Sequence, residues 1–280
     1  MQRIVVFGAG QSGRMTGKLL HGECKLAAYA DNNYKNLPEI LDGVPVISPK
    51  EILHVKADKV IISVLDKEAS YQITDQMIAE GINENDILNI NDLRKYFDIR
   101  LSTLRLLADE INNRKIEGNI AELGIYKGYT ARELNLLFKE RQLYLFDTFE
   151  GFDDRDIKFE NINIKENADR NKFRDTSEEE VKSILPFPQK AVFCKGYFPN
   201  SAKKIEDKFA LVSLDADLYL PTYEGLKYFY PRLNKGGYIL LHDYNSTQFP
   251  NVKKAVEDFA EETDFRLIPM CDLHGSAVII

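Results

Sequence analysis

The sequence has few cysteines, no long apolar run and a deficit of positive charge. Its three cysteines, Cys24, Cys194 and Cys271, are far apart and form no CxxC pair, which favours a reducing cytoplasm over a disulfide framework. The net charge of −7 argues against nucleic-acid binding, because neutralising a phosphate backbone needs a basic surface. No apolar stretch approaches the roughly 20 residues of a membrane span. Glycines interrupt the first apolar run too early for a signal peptide.

What is present is typical of a globular α/β chain of two domains. Hydrophobic residues make up 44% and charged residues 29% of the 280 residues, which suits a packed core. A strand, a glycine turn and a helix start occur twice, at residues 4–20 and again from residue 118. Further strands at 25–30 and 60–64 and a helix at 69–80 predict a small parallel sheet in the first half. We therefore expect two Rossmann-like domains, residues 1–97 and 98–280.

The second half continues the same alternation. Leu101, Leu104, Leu107 and Ile111 have helical spacing and open the domain. Strands are predicted at 143–146, 210–214 and 238–241, and residues 265–270 and 276–280 predict an antiparallel C-terminal hairpin. Residues 151–190 are the polar part, interpreted as a solvated loop and a surface helix or, alternatively, as a lid over a substrate site.

The first glycine motif contains Gly8, Gly10 and Gly13 in GxGxxG spacing after a strand, and Asp31 ends the next strand. Such glycines allow a tight turn close to a phosphate, which the helix N-terminus stabilises, while the acid accepts from a ribose hydroxyl. The motif predicts a nucleotide or nucleotide-sugar site. The alternative is a turn that serves only helix–strand packing.

This half also resembles a small N-terminal domain of bacterial sugar-modifying enzymes. The matching stretches are residues 5–13, 30–33 and 41–47. Sugar O-acyltransferases and nucleotide-sugar enzymes of polysaccharide synthesis carry that domain. The resemblance covers residues 1–97 and implies a sugar-nucleotide context without a catalytic step.

The second glycine motif differs in spacing. Glu122-Leu123-Gly124 ends a strand, Gly128 follows, and a helix starts near Thr130. The next strand ends at Asp147, placed to accept from both hydroxyls of a ribose. A sulfonium cofactor has no pyrophosphate to cradle, so its loop needs backbone access and a nearby carboxylate. Asp147 taken alone fits a helix cap, but together with Glu122 and the glycines it predicts an S-adenosylmethionine site.

Five motifs in order make the second half resemble the macrocin O-methyltransferase (TylF-type) family over residues 100–280. They are Glu122–Gly124, Phe146–Phe152, Lys195–Phe198, Leu214–Tyr219 and Gly236–Tyr244. The family implies the class I methyltransferase sheet, S-adenosylmethionine, and Mg²⁺ or Mn²⁺ for methylation of a sugar hydroxyl. On these motifs, the predicted cofactor-binding residues are Glu122, Gly124, Gly128, Thr130, Asp147, Thr148, Phe149, Gly196 and Tyr197.

The resemblance also implies a metal site. The first acid of the family's Asp-x-Asp motif is metal ligand and candidate base, and it corresponds to Asp215. Two adjacent acids after the Gly-Gly-Tyr strand complete that site in the family, but here the pair is His242-Asp243. The predicted metal ligands are thus Asp215, His242 and Asp243, with Asp215 and His242 as catalytic residues.

The chemistry fits this placement. Methyl transfer needs an aligned hydroxyl oxygen and a way to remove its proton, by a metal or a nearby base. Asp215 and Asp243 both end predicted strands, whose carboxyl ends converge on one sheet edge. His242 is equally compatible with a histidine that only hydrogen-bonds at a strand end. Asp217 is better explained as a structural residue of the turn that follows.

Three hypotheses of function therefore compete. The first is a metal-assisted sugar O-methyltransferase with a small-molecule or glycan substrate, no nucleic-acid or membrane partner, and a homo-oligomeric state left open. The second is a nicotinamide-dependent sugar-nucleotide oxidoreductase working through Gly8–Gly13, although the first half has no Tyr-x-x-x-Lys pair for hydride transfer. The third is a non-catalytic nucleotide-binding scaffold, which the intact set of acids disfavours.

Overall fold

The computed structural model describes residues 1–163 and 171–280. Residues 164–170, part of the predicted polar segment 151–190, lie outside the described residues. The chain divides into two compact units. Unit 1 is Met1–Ile99 with Cys271–Gly275, and unit 2 is Arg100–Met270 with Ser276–Ile280. The short C-terminal segment of unit 1 lies between two strands of unit 2 in the sequence.

Unit 1 is built on six strands and four α-helices. Its strands are β1 (Gln2–Phe7), β2 (Cys24–Ala30), β3 (Ile40–Leu41), β4 (Val44–Ile47), β5 (Lys59–Ile62) and β6 (Ile87–Asn89). Its helices are α1 (Gln11–Leu19), α2 (Ile52–Val55), α3 (Lys67–Ala79) and α4 (Ile90–Arg94). The sheet order is β3-β4-β2-β1-β5-β6, parallel except for the β3–β4 pair.

The central strand β1 explains the apolar run at the start of the sequence. Residues 4–7 are all buried, because both faces of a parallel sheet are covered by other elements. Val5 and Phe7 pack with Met77 on one face, while Ile4 and Val6 pack with Tyr29 on the other. Together with the parallel order, this core confirms the predicted α/β class for the first half.

Unit 2 is larger. Its strands are β7 (Asn119–Leu123), β8 (Leu143–Asp147), β9 (Ala191–Lys195), β10 (Phe209–Leu214), β11 (Leu233–Leu241), β12 (Leu267–Pro269) and β13 (Ala277–Ile279). Its helices are α5 (Ile99–Asn113), α6 (Tyr129–Leu137), α7 (Asp154–Asn163), α8 (Glu178–Ile184), α9 (Tyr219–Phe229) and α10 (Pro250–Glu262). The helix α5 begins one residue before the unit boundary.

The seven-stranded sheet has the order β12-β13-β11-β10-β7-β8-β9. Strands β7 to β11 pair in parallel, and β13 is antiparallel to both β11 and β12. The predicted antiparallel C-terminal hairpin is therefore confirmed. Strand order reverses between β7 and β10, so the connections leaving these two neighbours diverge and open a crevice at the carboxyl edge of the sheet.

Helix α7 differs from the solvated loop expected for the start of the polar segment. Asp156 and Glu160, one turn apart, are buried. Tyr197 Oη donates to Asp156 Oδ1 over 3.0 Å, and the backbone N–H of Tyr219 donates to Glu160 Oε1 over 2.6 Å. Burial raises the pKa of Asp156 to about 7, although the Tyr197 hydrogen bond opposes the shift.

Helix α8 agrees with the predicted surface helix. Ser177 Oγ accepts from the backbone N–H of Glu180 over 3.2 Å, as the capping spacing indicates. Val181 is buried, whereas its acidic neighbours face solvent. Among the described residues, no helix combines the length and apolar composition that crossing a membrane requires.

Candidate active site of unit 2

The predicted site residues of unit 2 collect at the carboxyl edge of its sheet. Glu122 lies in β7 and Asp147 ends β8, while Asp215 follows β10 and His242 follows β11. Since β7 and β10 are neighbours at the point where strand order reverses, their loops border the crevice. The sheet thus brings together residues separated by up to 120 positions in the sequence.

Gly124 sits where the loops after β7 and β10 meet. Its φ of +84° lies in the left-handed region, and an added Cβ would stand 1.9 Å from the carbonyl oxygen of Asp215. The backbone N–H of Asp215 donates to the carbonyl of Leu123 over 2.8 Å. Glycine at position 124 is therefore needed for the close approach of the two loops.

The loop then runs to the first turn of α6. Gly128 precedes this helix, and an added Cβ there would stand 2.7 Å from Cγ1 of Val181 in α8. Thr130 is buried in the first turn, and its Oγ1 accepts from the Arg100 guanidinium over 3.4 Å. Gly128 is thus explained by packing, while Thr130 faces the charged part of the site.

Asp147 binds the glycine loop through backbone N–H groups. Its Oδ2 accepts from Ile125 over 2.7 Å and from Tyr126 over 3.1 Å, and its Oδ1 accepts from Phe149 over 2.7 Å. The carboxylate therefore fixes the loop after β7 and the turn after β8 at the same time. It lies at the strand end that the sequence predicted, beside the loop that the cofactor hypothesis requires.

The four remaining predicted cofactor residues of unit 2 lie in the turns after β8 and β9. Thr148 Oγ1 donates to the Gly151 carbonyl over 2.7 Å, and Phe149 is buried with φ +55°. Gly196 has φ +124° and open space where a Cβ would stand. The Arg155 guanidinium stacks over the Tyr197 ring in a cation–π contact, with its central carbon 3.5 Å from the ring centroid. Gly196 is the member of this group that leaves room for a ligand against its backbone.

Glu122 is buried beneath the edge. The residue is 1% exposed, and within residues 1–163 and 171–280 its Oε2 has no hydrogen-bond partner. Burial and the charge of Asp215 raise the pKa of Glu122 well above its ordinary value, which Arg100 partly offsets. Leaving a buried carboxyl oxygen without a hydrogen bond costs free energy, so Oε2 of Glu122 is available to a polar group that binds at this edge.

Asp215, His242 and Asp243 form one cluster. Nδ1 of His242 lies 2.9 Å from Asp215 Oδ1 and 2.5 Å from Asp243 Oδ2. The ligand atoms of these three residues lie within 4.8 Å of one another. The three residues predicted as metal ligands are thus brought together, and the donor set of two carboxylates and an imidazole nitrogen suits a divalent cation.

Electrostatics in the cluster are governed by two acids and two cations. Burial alone would lower the pKa of His242, but Asp215 and Asp243 raise it to about 10, so the imidazole is a cation at neutral pH. Burial opposes ionisation of Asp215, yet His242 and Arg100 hold its pKa below the ordinary value. The hydrogen bonds from His242 therefore neutralise carboxylates that would otherwise repel one another.

Two further residues, Asp217 and Arg100, lie beside the cluster, and the sequence did not predict either as a site residue. Asp217 has φ +59°, and burial with the nearby charges of Asp215 and Asp243 raises its pKa well above the ordinary value. Arg100, on α5, was not predicted as a site residue. Its Nη1 donates to Asp215 Oδ2 over 3.1 Å. The helical leucine pattern marked α5 only as an apolar stripe, so no sequence signal distinguished Arg100.

The N-terminal motif folds as a glycine turn before α1. An added Cβ on Gly13 would stand 1.6 Å from the Gly8 carbonyl oxygen, whereas Gly10 has open space. Gly8 itself has φ +105°. Asp31 Oδ2 accepts from the Ala9 N–H over 2.9 Å, and its Oδ1 accepts from the Asn33 N–H over 2.8 Å. Packing explains Gly8 and Gly13, and Asp31 closes the turn.

Two family models match the sequence. The model described as Macrocin-O-methyltransferase (TylF) matches residues 97–279, and the model described as C2185-like, N-terminal, matches residues 1–88. The second description names neither an acyltransferase nor a nucleotide-sugar enzyme. The predicted resemblance of residues 100–280 is therefore confirmed, whereas the sugar-acyltransferase likeness of residues 1–97 gains no support.

Individual proteins are similar at lower identity. Demethyldecarbamoylnovobiocin O-methyltransferase of Streptomyces niveus is 24% identical over 176 residues, covering 59% of this chain and 66% of the relative. The 8-demethyl-8-(2,3-dimethoxy-alpha-L-rhamnosyl)-tetracenomycin-C 4'-O-methyltransferase of Streptomyces olivaceus is 22% identical over 166 residues, covering 52% and 60%. The chain spans about two thirds of the length of the curated relatives it matches.

The solved structure of CalS11, a calicheamicin methyltransferase, superimposes with a TM-score of 0.51 at 20% identity, covering 77% of this chain and 94% of that one. At this identity the likeness concerns the fold. Together with the sheet order of unit 2, it confirms the predicted class I methyltransferase fold. The family model covers well over half of the chain, and the chain belongs to the macrocin O-methyltransferase (TylF) family.

Proposed function

We propose that unit 2 transfers a methyl group from S-adenosylmethionine to a hydroxyl of a sugar. One observation carries the proposal: the cluster of Asp215, His242 and Asp243 lies at the same sheet edge as the glycine loop held by Asp147. A methyl donor in that loop and a hydroxyl at the cluster would then be neighbours. Family membership supports the same reaction class.

The donor half of the site is assigned to the loop after β7. We assign the ribose to Asp147, and the adenosine and amino-acid ends to the backbone between Gly124 and Thr130 and to Gly196. Asp147 already accepts three backbone N–H groups, so a ribose diol must share this carboxylate with the loop. Each carboxylate oxygen accepts more than one hydrogen bond, which makes such sharing feasible.

The reaction is an in-line displacement. The acceptor oxygen forms a bond to the methyl carbon, the carbon–sulfur bond breaks, and its electron pair stays on sulfur to give S-adenosylhomocysteine. The hydroxyl proton passes to Asp215, whose carboxylate orients the acceptor oxygen. Because the sulfonium already activates the methyl group, alignment supplies most of the rate. General-base assistance contributes roughly 10²–10⁴-fold.

We further propose that Asp215, His242 and Asp243 hold Mg²⁺ or Mn²⁺. Their donor atoms are close enough, and oxygen-rich ligation suits either ion. The Nδ1 of His242, which now donates to two carboxylates, has to release its proton before it can serve as a ligand. When bound, such a cation lowers the pKa of a coordinated hydroxyl.

The acceptor class rests on the relatives. The name of the tetracenomycin relative gives a rhamnosyl 4' position as its site of methylation, and we extend this sugar class to the present chain as a nucleotide-sugar or a glycan precursor.

The three cysteines form no disulfide, which supports the proposed cytoplasmic location. Neither the nicotinamide nor the scaffold alternative uses the cluster around Asp215.

Binding of S-adenosylhomocysteine tests the donor site. Wild-type protein should bind it in calorimetry, and Asp147→Ala should weaken binding at least about 10-fold, because the ribose loses a charged acceptor and the loop loses its anchor. The control is Asp31→Ala, which removes the equivalent carboxylate of unit 1 and should leave this affinity unchanged. Equal binding by wild type and Asp147→Ala would rule out the ribose assignment, and no binding by wild type would rule out the function.

Chelation tests the metal. EDTA should abolish methyl transfer to a panel of nucleotide-sugars, followed as a mass gain of one methyl group, while S-adenosylhomocysteine binding stays within about twofold, since Asp147 is not a metal ligand. Direct titration with Mn²⁺ should show one site that Asp243→Asn weakens. His242→Asp restores the two adjacent acids of the family and should retain Mg²⁺ dependence. Full turnover in EDTA would remove the metal from the mechanism.

A second proposal concerns a ligand for unit 1. Gly10 leaves open space at the turn before α1, which is compatible with a nucleotide or nucleotide-sugar there. However, packing accounts for the other two glycines, and Asp31 is engaged by two backbone N–H groups. Calorimetry with NAD and with a nucleotide-sugar, on the same protein, distinguishes a ligand site from a turn kept for packing.

A further inference from the structure

Arg100 is a cation placed between the two halves of the site. Its guanidinium donates to Asp215 Oδ2 over 3.1 Å and to Thr130 Oγ1 over 3.4 Å. Its side chain is 20% exposed, so solvent screens these contacts only in part. The residue therefore joins the first turn of α6, on the donor side, to the acid proposed to face the acceptor.

The acids around the loop can balance only the positive groups of the methyl donor. S-adenosylmethionine carries two positive groups, the sulfonium and the α-ammonium, and one negative group, the α-carboxylate. Asp147 and Asp215 around the loop favour the positive groups, but they repel the carboxylate, which needs a cation of its own. Lys127, within the loop, is directed to Asp175 over 2.8 Å instead.

We propose that Arg100 binds the α-carboxylate of the methyl donor, an inference that rests on the proposed function. The guanidinium presents paired N–H groups that suit a carboxylate, and Thr130 offers a hydroxyl beside them. Asp215 holds the same guanidinium, which keeps it at the position where the donor carboxylate arrives. As the donor binds, Arg100 exchanges one carboxylate for another, and Asp215 Oδ2 becomes accessible to the acceptor hydroxyl.

Replacing Arg100 should reduce the preference of the protein for S-adenosylhomocysteine over 5′-methylthioadenosine. S-adenosylhomocysteine and 5′-methylthioadenosine share the adenosine and the thioether, but only the first has the amino-acid end. Wild-type protein should bind S-adenosylhomocysteine the more tightly. Arg100→Gln should reduce that preference about 10- to 100-fold, as expected for a lost charge-assisted pair, and should leave the affinity for 5′-methylthioadenosine nearly unchanged.

Two variants make the test specific. Arg100→Lys keeps the charge but not the paired N–H groups, so it should recover part of the preference. Arg105→Gln is the matched control, because Arg105 lies on the same helix and pairs with Glu133 over 2.5 Å. It should keep the wild-type preference.

Calorimetry with the full chain decides between the outcomes. An unchanged preference in Arg100→Gln, or an equal weakening of both ligands, overturns the assignment while leaving the proposed function standing. Failure of the wild type to bind S-adenosylhomocysteine overturns the proposed function itself. Circular dichroism and thermal unfolding of each variant confirm that the compared proteins are folded.

Discussion

Asp215→Asn should lower the rate of methyl transfer about 10³-fold, while S-adenosylhomocysteine still binds within about threefold of wild type. Asparagine keeps the size of the side chain but cannot accept the hydroxyl proton, and it weakens the proposed cation site. Single-turnover rates at saturating donor and metal measure the chemical step, and calorimetry measures binding separately. The split between rate and binding is the signature of a group that acts on the acceptor.

The matched control is Asp109→Asn, an exposed acid of α5 away from the cluster, which should retain wild-type activity. If Asp215→Asn kept more than about a tenth of the wild-type rate, Asp215 would not be the proton acceptor. In that case His242, the other predicted catalytic residue, would be tested through His242→Asn in the same assay.

Among glycine-to-alanine substitutions in unit 2, Gly124→Ala should lower stability and activity the most. The new Cβ would meet the Asp215 carbonyl oxygen at 1.9 Å, and the φ of +84° is unfavourable for alanine. Left-handed strain and forced displacement together should cost about 3 kcal/mol or more, lowering Tm by about 6–12 °C. Methyl transfer should also be lost, because the carbonyl that must move belongs to the catalytic residue.

Gly196→Ala separates the two contributions. Gly196 also has positive φ, at +124°, but nothing stands within 4 Å of an added Cβ. Its loss of thermal stability should therefore be clearly smaller than that of Gly124→Ala. Equal shifts in Tm for the two variants would show that backbone conformation, rather than the contact with Asp215, makes glycine necessary at position 124.

The strands and the acids that end them could be predicted from the sequence because both signals are local. The apolar run of residues 143–146 followed by Asp147 shows a buried strand and its polar end without reference to any other part of the chain. The paired glycine turns are similarly local. Sheet order then follows from general rules for parallel sheets, which is why Asp215 and Asp243 could be expected at one edge.

Residues that depend on distant partners could not be predicted. Asp156 and Glu160 lie in a charged stretch typical of a solvated surface, but they are buried against partners far along the chain. Tyr197 donates to Asp156, and Tyr219 and Asn251 donate to Glu160. In the sequence, Arg100 is an ordinary charged residue of an amphipathic helix. Its role becomes visible only in the fold, where it pairs with Asp215, 115 positions away. Such pairings are products of tertiary structure and leave no periodic signal.

The contact between Gly124 and Asp215 has a consequence for redesigning this protein. Because the two loops meet backbone to backbone, a change in either one is transmitted to the other, and donor binding and catalysis cannot be altered independently there. The segment after β11 leaves the same sheet edge without that contact, whereas Asp147 ties the turn after β8, with Thr148 and Phe149, to the loop after β7. A search for variants with new acceptors should therefore randomise residues 244–249 and keep residues 122–128, 147–149 and 214–217 constant.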